Sequence, residues 1–200
     1  THGNECNAPW LFDQWEEKSD LIKTSGINVL KEIGNPLARK YGRRYIESDL
    51  NRSFSSEFLE SSLKNNFEIN RARELLSLYG SNGKNPCQIV FDFHSTTSAM
   101  GSSLVIYGRR PQDLALASLL QFRLGLPIYL YEGDNTQQGF LVESWPCGFV
   151  VEIGPVPQAL INGRIVFQNL IILQTLLEEI AKVKERKARF PEKLFVHKHL

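Results

Sequence analysis

Two short runs in this chain, residues 88–93 (Gln-Ile-Val-Phe-Asp-Phe) and 148–153 (Gly-Phe-Val-Val-Glu-Ile), are apolar almost throughout; Pro86 precedes the first and Gly154-Pro155 closes the second. Runs of that length between turn residues read as strands buried inside a sheet. Each carries chemistry to its end: Asp92 in the first with His94 just beyond it, and Glu152 in the second. Residues 103–107 and 128–131 are two further strand candidates, and 27–33, closed by Gly34-Asn35-Pro36, is another. Helical patterns occupy about 8–19, 66–79, 112–124 and 164–189. Strands alternating with helices predict an α/β fold, with a mixed, largely parallel central sheet flanked by helices on both faces. Ligands gather at the carboxyl ends of strands in open α/β sheets, which brings Asp92, His94 and Glu152 together.

The chemistry is sharpened by how few histidines there are. The chain has four, His2, His94, His197 and His199. The first opens His2-Gly3-Asn4-Glu5, where a histidine and a carboxylate three residues apart can turn toward one ion. His94 lies in Asp92-Phe93-His94-Ser95-Thr96-Thr97. Two histidines and one carboxylate are the protein ligands of an open catalytic zinc site, the fourth position being left to water. His197 and His199 read as exposed residues of a terminal strand. Residues 43–52, Arg-Arg-Tyr-Ile-Glu-Ser-Asp-Leu-Asn-Arg, fit neither period and read as a loop.

The charge balance, 23 basic against 22 acidic residues, gives no field that would draw the chain to nucleic acid or to an anionic membrane. The basic stretch 182–189 is interrupted by Glu185, has no interleaved aromatics and reads as a solvated helix end. No apolar run approaches a membrane span. Cys6, Cys87 and Cys147 are odd in number and far apart, so free thiols and a cytoplasmic location are expected. The chain begins inside its own motif without an initiator methionine, and a longer parent protein is expected, with a strand ahead of Thr1.

Four motifs in order, His2-Gly3-Asn4-Glu5, Asp49-Leu50-Asn51-Arg52, Asp92-Phe93-His94-Ser95-Thr96-Thr97 and Glu152-Ile153-Gly154-Pro155, resemble those of the aspartoacylase and succinylglutamate desuccinylase family. The likeness runs over essentially the whole chain. It implies a zinc carboxypeptidase-like catalytic domain over 1–190, with 191–200 opening a smaller β-rich C-terminal domain. It implies one Zn²⁺ held by His2, Glu5 and His94, and Glu152 as general acid/base. Arg44, with Arg43 beside it, matches the position that stabilises the oxyanion. Asn51 and Arg52 match positions that hold the substrate's α-carboxylate, and Thr96 a threonine lining the site. Asp92 either orients a ligand histidine from behind or pairs with a nearby backbone amide.

The implied reaction is hydrolysis of an N-acyl-L-amino acid, foremost N-acetyl-L-aspartate to acetate and aspartate. The implied partner is that small molecule, and homo-oligomerisation is left open. One departure bears on specificity: residues 133–151 contain no arginine, where the family places one for the aspartate side chain. The same site could therefore serve N-acyl aromatic amino acids, succinylglutamate or a C-terminal peptide bond. A catalytically silent metal- or ligand-binding fragment is the non-enzymatic alternative.

Overall fold

In the computed structural model, which describes residues 1–61, 66–132 and 138–198, the apolar runs form neighbouring strands. β1 (Ile89–Ser95) pairs in parallel with β4 (Cys147–Ile153), Asp92 opposite Val150 and His94 opposite Glu152. β4 is antiparallel to β2 (Ser103–Tyr107), which is parallel to β3 (Ile128–Tyr131), and β3 is parallel to β5 (Val196–Lys198). The order is β1-β4-β2-β3-β5, a mixed sheet with one antiparallel junction. The strand expected near 193–199 thus lies at the edge of this same sheet. His197 there packs on Tyr129, and His199 lies outside the described residues.

Alternation along β1 and β4 divides their side chains between two cores. One face, with Phe149, Val151 and Ile153, packs on α5 (Pro111–Leu124) and α6 (Gly163–Lys184). The other, with Val90 and Val150, packs on Leu50, Phe54, Trp145 and α4 (Phe67–Tyr79). Since side chains alternate faces at a period of two, Asp92, His94 and Glu152 share that second face. A third cluster joins α1 (Asn7–Glu17) to α6 through Leu11, Trp15, Val166 and Leu173.

Residues 27–33 do not form a strand. They run extended with Ile27 and Val29 half-buried against the α1–α6 cluster. Side chains tie their ends: Arg71 donates to the carbonyls of Ile33 and Gly34 (3.2 and 2.8 Å) and Lys184 to that of Gly26 (3.2 Å). α6 also ends five residues short of its expected limit. Arg186 takes a left-handed backbone (φ 58°), and the N–H groups of Lys187 and Ala188 turn back to the Lys182 carbonyl, a closure that satisfies the terminal carbonyls of a helix.

Two short helices escaped the sequence reading. α2 (Pro36–Tyr41) has the signals for one: Asn35 Oδ1 accepts from Ala38 N, Pro36 opens the first turn, and Gly42 closes it in a left-handed conformation. α3 (Ser56–Glu60) is capped by Ser55. Ahead of β4, the Arg110 guanidinium donates to the carbonyls of Val142, Glu143, Trp145 and Gly148 and pairs with the buried Asp113. All three cysteines are free. Burial, with the Asp113 carboxylate beside it, pushes the Cys147 thiol up to about 12, so it is no nucleophile. Among the described residues, no helix is long and apolar enough to cross a membrane.

Candidate active site

His2 enters the site on a tight turn. Glu5 N donates to the His2 carbonyl, and Gly3 N to the carbonyl of Arg44. Gly3 lies so close to α2 that a Cβ there would overlap the Ala38 backbone. This close approach is the physical reason for glycine between the two chemical residues. α1 then starts at Asn7, so Glu5 sits just ahead of a helix and faces β1.

The geometry centres on Glu5. His2 Nδ1 lies 2.6 Å from Glu5 Oε1, and His94 Nδ1 lies 3.1 Å from Glu5 Oε2. Ser95 N donates to the same Oε2 at 2.7 Å. One donor atom from each of His2, Glu5 and His94 falls within 4.8 Å of the others, and all three residues are buried. The outer nitrogens are equally well defined. His2 Nε2 meets Asp49 Oδ1 at 3.0 Å, and His94 Nε2 meets Asp92 Oδ2 at 2.7 Å. Thr1 Oγ1 in turn donates to Asp92 Oδ2 at 2.8 Å.

A carboxylate on each outer nitrogen orients the two rings so that both Nδ1 atoms face Glu5, an arrangement common to metal-binding histidines. The donor set therefore fits a divalent ion such as zinc. The charges act accordingly. Burial opposes ionisation of Glu5, but His94 and His2 hold it well below the usual carboxylate range. Burial likewise opposes a charged His94, yet Asp92 and Glu5 on either side raise it well above the ordinary histidine value.

Asp49 joins this centre to the rest of the cleft. Besides His2, its Oδ1 accepts the backbone N–H of Asn51 at 2.9 Å, while Oδ2 accepts Arg44 Nη2 at 3.0 Å and Nε at 3.3 Å. One carboxylate thus fixes a candidate metal ligand and the Arg44 guanidinium together. Arg44, 47% exposed and turned into the cleft, also lies 3.9 Å from Glu5 Oε1. Arg43 is not among the cleft-lining residues. Asn51 Oδ1 accepts from Leu141 N at 3.0 Å, which leaves its amide N–H₂ as the available donor.

The loop bearing Asp49 is braced from behind by Glu68, an α4 residue with no exposed surface. It accepts the backbone N–H groups of Ile46, Glu47 and Ser48 and the Asn35 side chain. Sequence reasoning overlooked both Glu68 and the double role of Asp49. The one available signal was a carboxylate on the apolar side of an amphipathic helix.

Glu152 stands beside His94 across the β1–β4 ladder. Burial, helped by the Glu5 and Asp92 carboxylates and opposed by His94, raises its carboxyl above the ordinary glutamate value of 4.5. Thr96 lines the cleft, and its Oγ1 accepts from Ser98 N. The structure thus brings His2, Glu5, Arg44, Asn51, Arg52, His94, Thr96 and Glu152 to one cleft.

A mixed α/β sheet carrying buried His–Glu–His donors, with a strand-borne glutamate and an arginine beside them, has the zinc carboxypeptidase-like architecture. Its structural neighbours share it. Murine aminoacylase 3 superposes with a TM-score of 0.82 at 27% identity, over 92% of this chain and 63% of that one. The succinylglutamate desuccinylase from Chromobacterium violaceum shares the fold with a TM-score of 0.66 at 20% identity, over 95% of this chain and 60% of that one. Within that class, the chain belongs to the succinylglutamate desuccinylase/aspartoacylase family, whose catalytic domain matches residues 1–181. A Prochlorococcus marinus protein named "Probable aspartoacylase" is 62% identical over all 200 residues. A Synechococcus protein of the same name is 54% identical. The chain spans 65% and 66% of the length of these two relatives.

Proposed function

We propose that this chain carries the site of a zinc-dependent hydrolase that cleaves the amide bond of an N-acyl-L-amino acid, with N-acetyl-L-aspartate the leading substrate. The observation that carries the reading is the convergence of Nδ1 of His2, Nδ1 of His94 and the Glu5 carboxylate, with Glu152 beside His94. Family membership and the names of the relatives supply the acyl amino acid.

His2, Glu5 and His94 would hold the ion. A zinc ion so held would supply Lewis acidity for an acyl carbonyl and would make water a usable nucleophile near neutral pH. Glu152 accepts the proton of the attacking water and passes it to the leaving amine. A carboxyl raised above its ordinary value suits both transfers, which together contribute typically about 10²–10⁴-fold. Arg44, aimed by Asp49, donates to the oxyanion formed at the carbonyl. Asn51 and Arg52 hold the α-carboxylate, for which a guanidinium offers two parallel hydrogen bonds.

The test is Glu152→Gln in the full-length protein. The variant is expected to bind metal as the wild type does and to lose nearly all turnover. Unimpaired amide hydrolysis by it would remove Glu152 from the reaction.

A further inference from the structure

Tyr107, at the end of β2, is held in an unusual stack. Its ring lies on Phe140 with centroids 3.7 Å apart and planes 21° from parallel, while the Arg52 guanidinium sits 4.0 Å from the centroid of the same Phe140 ring. Two groups that close to one centroid cannot share a face. Phe140 is therefore sandwiched, with a cation on one side and a phenol on the other. Tyr131 meets both rings edge-on, which limits the freedom of the phenol further.

Most of Tyr107 is covered, yet it contributes to the wall of the cleft that holds His94, Arg52 and Glu152. The hydroxyl is the one polar atom that the Tyr107 side chain can offer to that cleft. No described residue hydrogen-bonds this hydroxyl. A rigid donor without a protein partner, opening into a cleft, is an arrangement that rewards a ligand acceptor.

The chemistry of that acceptor follows from the neighbours. Residues 133–151 supply no arginine. The nearby Arg110 spends its donors on backbone carbonyls and Asp113. The cations that line the cleft are Arg44, paired with Asp49, and Arg52. On the reading that an N-acyl amino acid binds here, Arg52 takes the α-carboxylate and Arg44 the oxyanion, and the described residues of the cleft offer a second, side-chain carboxylate no further cation. We infer that the Tyr107 hydroxyl is the specificity-determining donor for the side-chain carboxylate of an N-acyl acidic amino acid, with Phe140 the spacer between it and Arg52. A phenol keeps its proton at neutral pH, and burial makes this one harder still to ionise, so the donor persists across the working range.

The experiment compares wild type and Tyr107→Phe, both full-length and zinc-loaded, on N-acetyl-L-aspartate and N-acetyl-L-alanine. Phenylalanine keeps the stack on Phe140 and removes only the hydroxyl. Losing one hydrogen bond to a charged group is expected to raise KM for N-acetyl-L-aspartate by about 10- to 100-fold, with kcat little changed. KM for N-acetyl-L-alanine should stay within about twofold of wild type. Equal losses on both substrates, or no loss on either, would overturn the assignment. A wild type that cleaves acetylalanine but not acetylaspartate overturns it too, while leaving the hydrolase reading intact. A wild type that neither cleaves nor, by calorimetry, binds either compound overturns both.

Discussion

Replacing Asp49 by asparagine should loosen the proposed metal centre without touching a proposed ligand. In the structure, one Asp49 oxygen faces two donors, His2 Nε2 and Asn51 N, and the other faces the Arg44 guanidinium. An asparagine amide keeps one acceptor and presents N–H₂ in place of the second. Whichever way it is turned, a donor meets a donor. Loss of the carboxylate behind a metal-binding histidine typically costs about 10- to 100-fold in metal affinity, or about 1.4–2.8 kcal/mol. The expected result for Asp49→Asn is a zinc dissociation constant raised by that factor, read by competition with a chromogenic chelator. Asp92→Asn, which strips the corresponding support from His94, should behave alike. The two effects should be roughly additive, because the carboxylates serve different ligands. Zinc affinity within about threefold of wild type in both variants would refute the view that these carboxylates set the ligand orientation.

Gly3→Ala would press a methyl group into the Ala38 backbone, and the variant should lose about 1–3 kcal/mol of stability together with metal binding; an unchanged melting temperature would contradict this. Glu68→Ala strips the acceptor from three backbone N–H groups ahead of Asp49, and an unfolding free energy lowered by about 3–5 kcal/mol is expected, with urea titration as the check. Glu152 must be ionised to accept a proton and its pKa is raised, so kcat/KM should rise with pH through a value above 4.5. An acid limb centred at or below 4.5 would show that some other group governs it.

Much of this was legible in the chain because it is local. The short apolar runs marked β1 and β4, and the habit of ligands to gather at strand carboxyl ends put Asp92, His94 and Glu152 together. Pro36 and Gly42 also marked α2, but its six residues are too few to show a helical period. Residues 27–33 misled for the opposite reason. They have the composition of a strand, yet they pack on the α1–α6 cluster through Ile27 and Val29 and are tied at one end by a guanidinium 37 and 38 residues away in sequence, Arg71 donating to Gly34 and Ile33. The helix limit at Lys184 was hidden because nothing in a lysine- and arginine-rich stretch announces a left-handed residue at Arg186. Asp49 and Glu68 were in plain view as carboxylates. Their roles depend on partners 47 residues away in one case and 20 to 33 in the other, and sequence spacing does not reveal such pairings.

The central claim, that amide hydrolysis of an acyl amino acid depends on the ion held by His2, Glu5 and His94, is tested most directly by amino-acid release before and after metal removal. Full-length protein would be assayed with N-acetyl-L-aspartate and N-acetyl-L-tyrosine as purified, after chelation, and after addition of one equivalent of zinc. Release of free aspartate that stops on chelation and returns with zinc is the predicted result. Release that persists in the metal-free protein, or no release of either amino acid from protein shown to hold one zinc, would contradict the account.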